Sequence, residues 1–184
     1  MPIYGNFLKF YKTELDLLPL NIGTPLLRVG HFYEKLEKMR RGMLYAHIEL
    51  AMLKKGFVSF SDLEAGLSVP DLLEMRKREY EEVAWRTGNA CEGMLRILYH
   101  MYKRKEPEEK GFGFLLEGLR REIHTEFGND VLNDLEYIRE WRNIADHPTQ
   151  REITFEVAAK VIKKTQLFQE LFFNKIKRGF SQDK

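Results

Sequence analysis

Apolar residues recur at helical spacing along most of the chain, and no segment shows sustained alternation of apolar and polar positions between turn signals. This pattern predicts helices and no sheet. The predicted helices cover residues 31–55, 71–105, 112–126, 131–148 and 154–177. Because short connections join the last four of them, we predict an all-α protein built on an antiparallel four-helix bundle.

Capping residues set the expected ends of these helices. Asp71 and Thr154 precede two of the apolar patterns and are the expected N-caps. Ser61 and Glu64 have the spacing of a capping box, which predicts a short helical turn before the second long helix. The apolar pattern of residues 1–30 predicts a short helix followed by an irregular loop, because prolines and glycines interrupt the later part of the pattern.

These elements divide the chain into three parts. Residues 1–66 are expected to form an N-terminal helical extension, 67–178 the bundle and 179–184 a tail. Within the long helix at the start of the bundle, Gly88 and Asn89 interrupt the apolar pattern. Such a break either bends a helix or lets a neighbouring helix approach closely.

The helix over 131–148 carries a charge where an apolar residue is expected. Val131, Leu135, Ile138 and Ala145 form one apolar stripe. Arg142 lies in the middle of that stripe, so its guanidinium points along the face that such a helix buries.

His147 stands at the forced end of the same helix. It precedes Pro148, and a residue before proline is excluded from the α region. On an uninterrupted helix Arg142 and His147 would face different ways, but a helix end allows the imidazole to turn back towards the guanidinium. A guanidinium binds phosphate oxygens and an imidazole transfers protons near neutral pH, so the two groups together suit chemistry on a phosphodiester.

Composition narrows the classes of function. The chain of 184 residues is 43% hydrophobic and 32% charged, which is typical of a globular protein. A net charge of +2 argues against a broad nucleic-acid-coating surface and leaves room for a local basic cleft. The single cysteine, Cys91, excludes an internal disulfide and is typical of a cytoplasmic protein. No apolar run is long enough to predict a membrane span.

Other motifs do not support a site. Gly111 and Gly113 lack the strand and the third glycine of a phosphate-binding loop. No two histidines have the spacing of helical metal ligands, so we expect neither a metal nor another cofactor. The remaining histidines are interpreted as surface or interface residues: His31, His47, His100 and His124. Arg41 and His47 also satisfy a loose Arg–His spacing, but they lie inside an uninterrupted helical pattern, and we interpret this match as coincidence.

The segment from Arg142 to His147, RNIADH, resembles the signature of the HEPN superfamily, in which an arginine precedes a histidine by a short spacing. An Asn, Asp or His commonly follows the arginine in that family, and a proline often follows the histidine. The long helix before the motif, its place at the end of a bundle helix and the closing helix also fit the family's layout. The resemblance covers residues 71–177.

The resemblance implies a metal-independent endoribonuclease with a toxin or defence role, acting as a homodimer whose two motifs meet in one cleft. On that basis the apolar face of the helix over 131–148 is expected to be a dimer-facing surface, with Arg142 in the shared cleft. Arg142 would hold the scissile phosphate, His147 would transfer protons and Asn143 would position either group. The products would be a 2′,3′-cyclic phosphate and a 5′-hydroxyl, so RNA would be cut and DNA would not. Asn89 and Glu92 match a polar position near the cleft in the family. They are weaker substrate-binding candidates, and so is Asp146.

Two other hypotheses remain open. The chain is alternatively a non-catalytic HEPN module that binds RNA or a nucleotide, or docks a nucleotidyltransferase antitoxin. Toxin members with such a partner often carry a tyrosine for adenylylation where this chain has Thr149, which argues against that regulation here. Alternatively the motif is structural, with an Arg142–Asp146 ion pair and His147 at the helix end. Trp85 and Trp141 are interpreted as packing or interface residues.

Overall fold

The computed structural model describes residues 38–57, 66–105, 107–108, 111–147 and 151–181. All regular structure in these residues is helical, which confirms the predicted all-α class. In chain order the helices are α1 (residues 38–54), α2 (Val69–Lys103), α3 (Phe112–Gly118), α4 (Arg120–Phe127), α5 (Asn129–Asp146) and α6 (Phe155–Ser181).

Several predictions concern residues outside this part of the chain. They are the short helix and loop over 1–30, the start of the first long helix at His31, and the capping box at Ser61. Thr149 also lies outside it. At the other end, α6 continues to Ser181, three residues beyond the expected end of the bundle at 178.

The start of α2 differs from the prediction. Ser68, and not Asp71, is the N-cap: the Asp71 amide donates to Ser68 Oγ at 3.3 Å, and the Ser68 amide donates to Asp71 Oδ2 at 3.1 Å. Pro70 belongs to the first turn, where a missing N–H costs nothing, so the helix begins before it. Hydrogen bonds from the Ser68 side chain and amide lower the pKa of Asp71. The other end falls at Lys103, where Arg104 adopts a left-handed conformation (φ 55°).

The single helix predicted over 112–126 is wrong, because the chain breaks at Leu119 into α3 and α4. Leu119 has φ −109° and ψ 2°, outside the helical region. Gly118 precedes the break, and a Cβ there would lie 2.8 Å from Cε2 of Tyr99. The Tyr99 ring therefore packs directly against the backbone at a residue of low helix propensity, and this contact accompanies the break.

The four long helices form an antiparallel bundle. The Trp85–Asp146 and Glu92–Arg142 contacts show that α2 and α5 run in opposite directions. Ion pairs and ring contacts likewise place α1 antiparallel to α2, and α5 antiparallel to α6. The short helices α3 and α4 connect α2 to α5, and the fourth long member of the bundle is α1.

One apolar core joins these helices. Met43, Ala46 and Leu50 of α1 belong to the same cluster as the buried side chains of the later helices. The helix over 38–54, which the sequence assigned to an extension, thus packs into the bundle itself. Thr154 caps α6 as predicted, since its Oγ1 accepts from the Val157 amide at 3.4 Å.

The apolar stripe of α5 faces this core. Leu135 and Ile138 are fully buried within a single chain, so the expectation that their face is a dimer surface is wrong. Leu132 and Trp141 complete the buried side, whereas Val131 and Ala145 are only partly buried. This apolar face was expected to be uncovered in a single chain. The reason is that the sequence does not show that α2 packs against it.

None of the described helices combines the length and the apolar content that crossing a membrane would require.

Candidate functional site

The end of α5 confirms the local prediction. The helix stops at Asp146, and His147 is extended with φ −126° and ψ 135°. Its amide still donates to the carbonyl oxygen of Asn143 at 3.1 Å, so the chain leaves the helix in a defined direction. The His147 side chain is 72% exposed and is therefore accessible to a ligand.

Arg142 reaches from α5 towards α2 and is held by two amide side chains. Its Nε donates to Oδ1 of Asn89 at 3.2 Å, and its Nη1 donates to Oδ1 of Asn143 at 3.2 Å. The Arg142 side chain is 21% exposed. These two bonds fix the plane of the guanidinium, which is the property that bidentate recognition of an oxyanion requires.

Two carboxylates balance the charge of Arg142 from a greater distance. Glu92 Oε2 lies 3.5 Å from Nη2, and Asp146 Oδ2 lies 3.6 Å from Nη1. Strong charge-assisted hydrogen bonds are about 2.7–2.9 Å long, so both are loose ion pairs. Glu92 Oε2 is buried and has no hydrogen-bond partner. Within the described part of the chain, Nη2 of Arg142 donates no hydrogen bond, and its charged neighbour is Glu92.

Gly88 makes this arrangement possible. A Cβ on Gly88 would lie 2.3 Å from Cγ of Arg142 and 2.4 Å from its Cβ, far inside van der Waals contact. The helix α2 runs through Gly88 without interruption. Of the two predicted consequences of the Gly88–Asn89 break, the structure therefore has the close approach of a neighbouring helix.

Asp146 connects the members of the site. One oxygen, Oδ1, accepts from the indole Nε1 of Trp85 at 3.1 Å. The other, Oδ2, lies 3.6 Å from Arg142 Nη1 and 4.0 Å from His147 Nε2. Among the described residues, Arg142 and His147 make no hydrogen bond to each other. Asp146 is the group that contacts both of them.

The six candidate site residues named from the sequence lie together here, but not in equal roles. Asn89, Glu92 and Asn143 contact Arg142 directly, whereas His147 is linked to it through Asp146. Two members were not assigned to the site from sequence: Gly88, noted only as a break in the pattern, and Trp85, interpreted as packing. The available signal was the spacing of Trp85, Asn89 and Glu92, which places them on one face of a helix.

The other histidines have different surroundings. His47 stacks on Phe155 with ring centroids 4.0 Å apart, and its Nδ1 lies 3.4 Å from the hydroxyl of Tyr80. His100 and His124 lie on α2 and α4, away from the end of α5. Among the described residues, no three His, Cys, Asp or Glu side chains are grouped as metal ligands would be.

The two tryptophans differ in exposure and in their contacts. Trp141 is 9% exposed and contacts Tyr137 at a centroid distance of 6.1 Å, while the guanidinium of Arg151 lies 4.6 Å from its ring. Trp85 is 40% exposed. Trp141 is thus a packing residue, as predicted, and Trp85 is a surface ring at the edge of the site.

No family model, curated protein or solved structure matches the chain. The resemblance to the HEPN superfamily therefore depends on the motif and on the helix layout alone.

Proposed function

We propose that the protein is a metal-independent endoribonuclease of HEPN type. The observation that carries this proposal is the convergence of a fixed guanidinium and an exposed imidazole on Asp146 at a helix end. A phosphate oxygen at the Nη1 side of Arg142, where Asp146 approaches both groups, would be near His147. This is the pair of groups that cleavage by the neighbouring ribose hydroxyl requires.

The reaction follows from these groups. His147, in its neutral form, accepts the proton of the 2′-hydroxyl as O2′ attacks phosphorus. Arg142 donates hydrogen bonds to the phosphate oxygens and stabilises the charge that develops on them. The P–O5′ bond breaks, O5′ takes up a proton, and the products are a 2′,3′-cyclic phosphate and a 5′-hydroxyl. DNA lacks the attacking group and is not cut.

The remaining polar residues act on Arg142. Asn89 and Asn143 accept its N–H groups and set its plane. Glu92 is an unsuitable phosphate ligand, because a carboxylate repels a phosphate. Its contact with Nη2 of Arg142 at 3.5 Å suits positioning, and we assign it that role. Asp146 likewise orients Arg142 and Trp85 through its two oxygens.

A homodimer is part of this proposal. Attack by O2′ needs a base, and departure of O5′ needs an acid, yet among the described residues each chain has one histidine at the candidate site. Two copies with their exposed His147 side chains in one cleft would supply both groups at once. Mixing inactive His147→Ala chains with wild type would then reduce the cleavage rate by more than dilution alone.

The test is cleavage of labelled single-stranded RNA in EDTA. Arg142→Ala and His147→Ala should each lower the rate by about 10²-fold or more, the size expected for a lost acid–base or oxyanion-stabilising group. Arg41→Ala and His47→Ala are matched controls, because they change the other Arg–His pair, and they should cut at the wild-type rate. Equal cleavage by wild type, Arg142→Ala and His147→Ala would remove the proposal.

A non-catalytic module is the second candidate. It is favoured by the two carboxylates around Arg142, which balance its charge and make it an interhelical tie between α2 and α5. In that case the protein binds RNA or a nucleotide, or docks a partner such as a nucleotidyltransferase, without cutting. Saturable nucleotide or RNA binding by a wild-type protein that leaves RNA intact would select this function.

A further inference from the structure

Trp85 has an unusual combination of exposure and fixed orientation. Its side chain is 40% exposed, although a tryptophan is the largest apolar side chain that a surface can carry. Its single polar atom, Nε1, donates to Asp146 at 3.1 Å. In the described part of the chain no aromatic ring or cation covers the indole, in contrast to Trp141. The ring is thus held by its edge while part of its surface faces solvent.

The position of this ring relates it to the candidate site. Asp146, which holds the indole with one oxygen, approaches both Arg142 and His147 with the other. Trp85 also shares a face of α2 with Asn89, which accepts from Arg142 Nε. A nucleotide whose phosphate sits at Arg142 would therefore have a base within reach of the indole, since base and phosphate are linked through one sugar.

We infer that Trp85 is the stacking platform for a nucleobase next to the phosphate that Arg142 holds, and that the substrate is single-stranded RNA. Every base has a π-face, so stacking on an indole is strong and tolerant of sequence. A base inside a duplex is already stacked and paired, and it would have to leave the helix to reach the ring. The inference depends on the proposed nucleic-acid site, but not on cleavage.

The first experiment uses Trp85 as its own probe. The chain contains two tryptophans, so Trp141→Phe leaves Trp85 as the single emitter. Titration with a short 2′-O-methyl oligoribonucleotide, which cannot be cut because its 2′-oxygen carries a methyl group, should quench the fluorescence saturably. The same sequence closed into a hairpin stem should quench it far less. An absence of quenching at RNA concentrations that saturate binding would overturn the inference.

The second experiment measures affinity without depending on the Trp141→Phe background. Trp85→Ala should weaken binding of the labelled 2′-O-methyl strand by about 5- to 150-fold, the range for loss of one stacked base. Trp85→Phe, which keeps a ring, should recover most of that loss. Met75→Ala is the matched control, since Met75 is a similarly exposed residue of α2 (46%) that precedes Trp85 by ten residues. Equal affinity of wild type and Trp85→Ala would contradict a stacking role.

The outcomes separate this inference from the proposed activity. A wild-type protein that leaves RNA intact, but whose affinity depends on Trp85, removes the endoribonuclease and keeps the stacking platform. A protein that cuts RNA with unchanged KM and kcat in Trp85→Ala keeps the enzyme and removes the platform. If Trp85→Ala shifts the monomer–dimer equilibrium in sedimentation and leaves RNA affinity unchanged, the ring is an anchor between copies and the inference is wrong.

Discussion

Two segments of this chain carry an arginine followed at short spacing by a histidine, and the structure treats them in opposite ways. Arg41 and His47 lie within α1, where His47 is packed on Phe155 beside Tyr80. Arg142 and His147 straddle the end of α5, where His147 is 72% exposed. Arg–His spacing in the sequence is therefore not enough to leave the histidine exposed. The histidine must also stand at a helix end, where it does not pack against a neighbouring helix.

A glycine lies close to each arginine, and replacing it with alanine tests the difference between the two segments. Gly88→Ala would place a methyl group 2.3 Å from Cγ of Arg142, so α2 and α5 must separate or the arginine must move. We expect a loss of about 1–3 kcal/mol in the free energy of unfolding, the usual cost of overpacking, together with loss of RNA cleavage. Urea unfolding and the EDTA cleavage assay measure the two effects.

Gly42→Ala is the control, because, apart from its chain neighbours and its own helix backbone, no atom of the described residues lies within 4 Å of a Cβ at Gly42 in α1. Alanine in a helix interior should stabilise the protein there by about 0.5–1 kcal/mol, with no change in cleavage. The same direction of change for both variants would show that Arg142 does not depend on a close approach of the helices.

Removing the helix stop should affect chemistry more than stability. Pro148→Ala allows the helix to continue through His147, and this would turn the imidazole away from Arg142. We expect cleavage to fall by about 10²-fold, because misplacement of a catalytic group by about 1 Å has effects of that order. Pro70→Ala, in the first turn of α2, removes a proline far from the site and should leave cleavage unchanged. Wild-type rates for Pro148→Ala would show that cleavage does not depend on the end of α5.

The two histidines should differ in what their loss changes. His47→Ala removes a ring stacked at 4.0 Å and should lower the free energy of unfolding by about 1 kcal/mol, with cleavage unaffected. His147→Ala, at an exposed position, should change stability by less than about 0.5 kcal/mol and abolish cleavage. Thermal melts and RNA cleavage rates of both variants test whether one loses stability and the other loses activity. Loss of cleavage with His47→Ala in a folded protein would contradict it.

The smallest effect is expected at Cys91, which reports on the packing next to Gly88. Burial raises the pKa of this thiol to about 12, and Thr165 Oγ1 lies 3.4 Å from its Sγ. At pH 8 the folded protein should therefore react with iodoacetamide only as fast as it opens, because the thiolate is the reactive form. Mass spectrometry of the single cysteine should show faster labelling in Gly88→Ala than in Gly42→Ala. Rapid labelling of the wild type would show that the α2–α6 core is open.

Much of the fold follows from local sequence signals. Apolar periodicity identifies the long helices, Thr154 identifies the start of α6, and the residue before Pro148 leaves the helix as steric exclusion requires. The signals failed where two of them competed. Asp71 is a good cap, but Ser68 can cap the helix and leave Pro70 in a first turn that tolerates it. The break at Leu119 has no strong local signal, since the packing of Tyr99 on Gly118 joins distant parts of the chain.

By itself, the sequence determined that this is a helical protein with an arginine and a histidine near one helix end. The tertiary structure decided what surrounds them: Asn89 and Glu92 beside the guanidinium, Gly88 beneath it, and Asp146 between Arg142, His147 and Trp85. It also decided that the apolar face of α5 is core within one chain. The physical reason is the separation in sequence over which each interaction acts. Capping and proline sterics act within a few residues, whereas the contact between Trp85 and Asp146 joins residues that become neighbours only when α2 and α5 pack together.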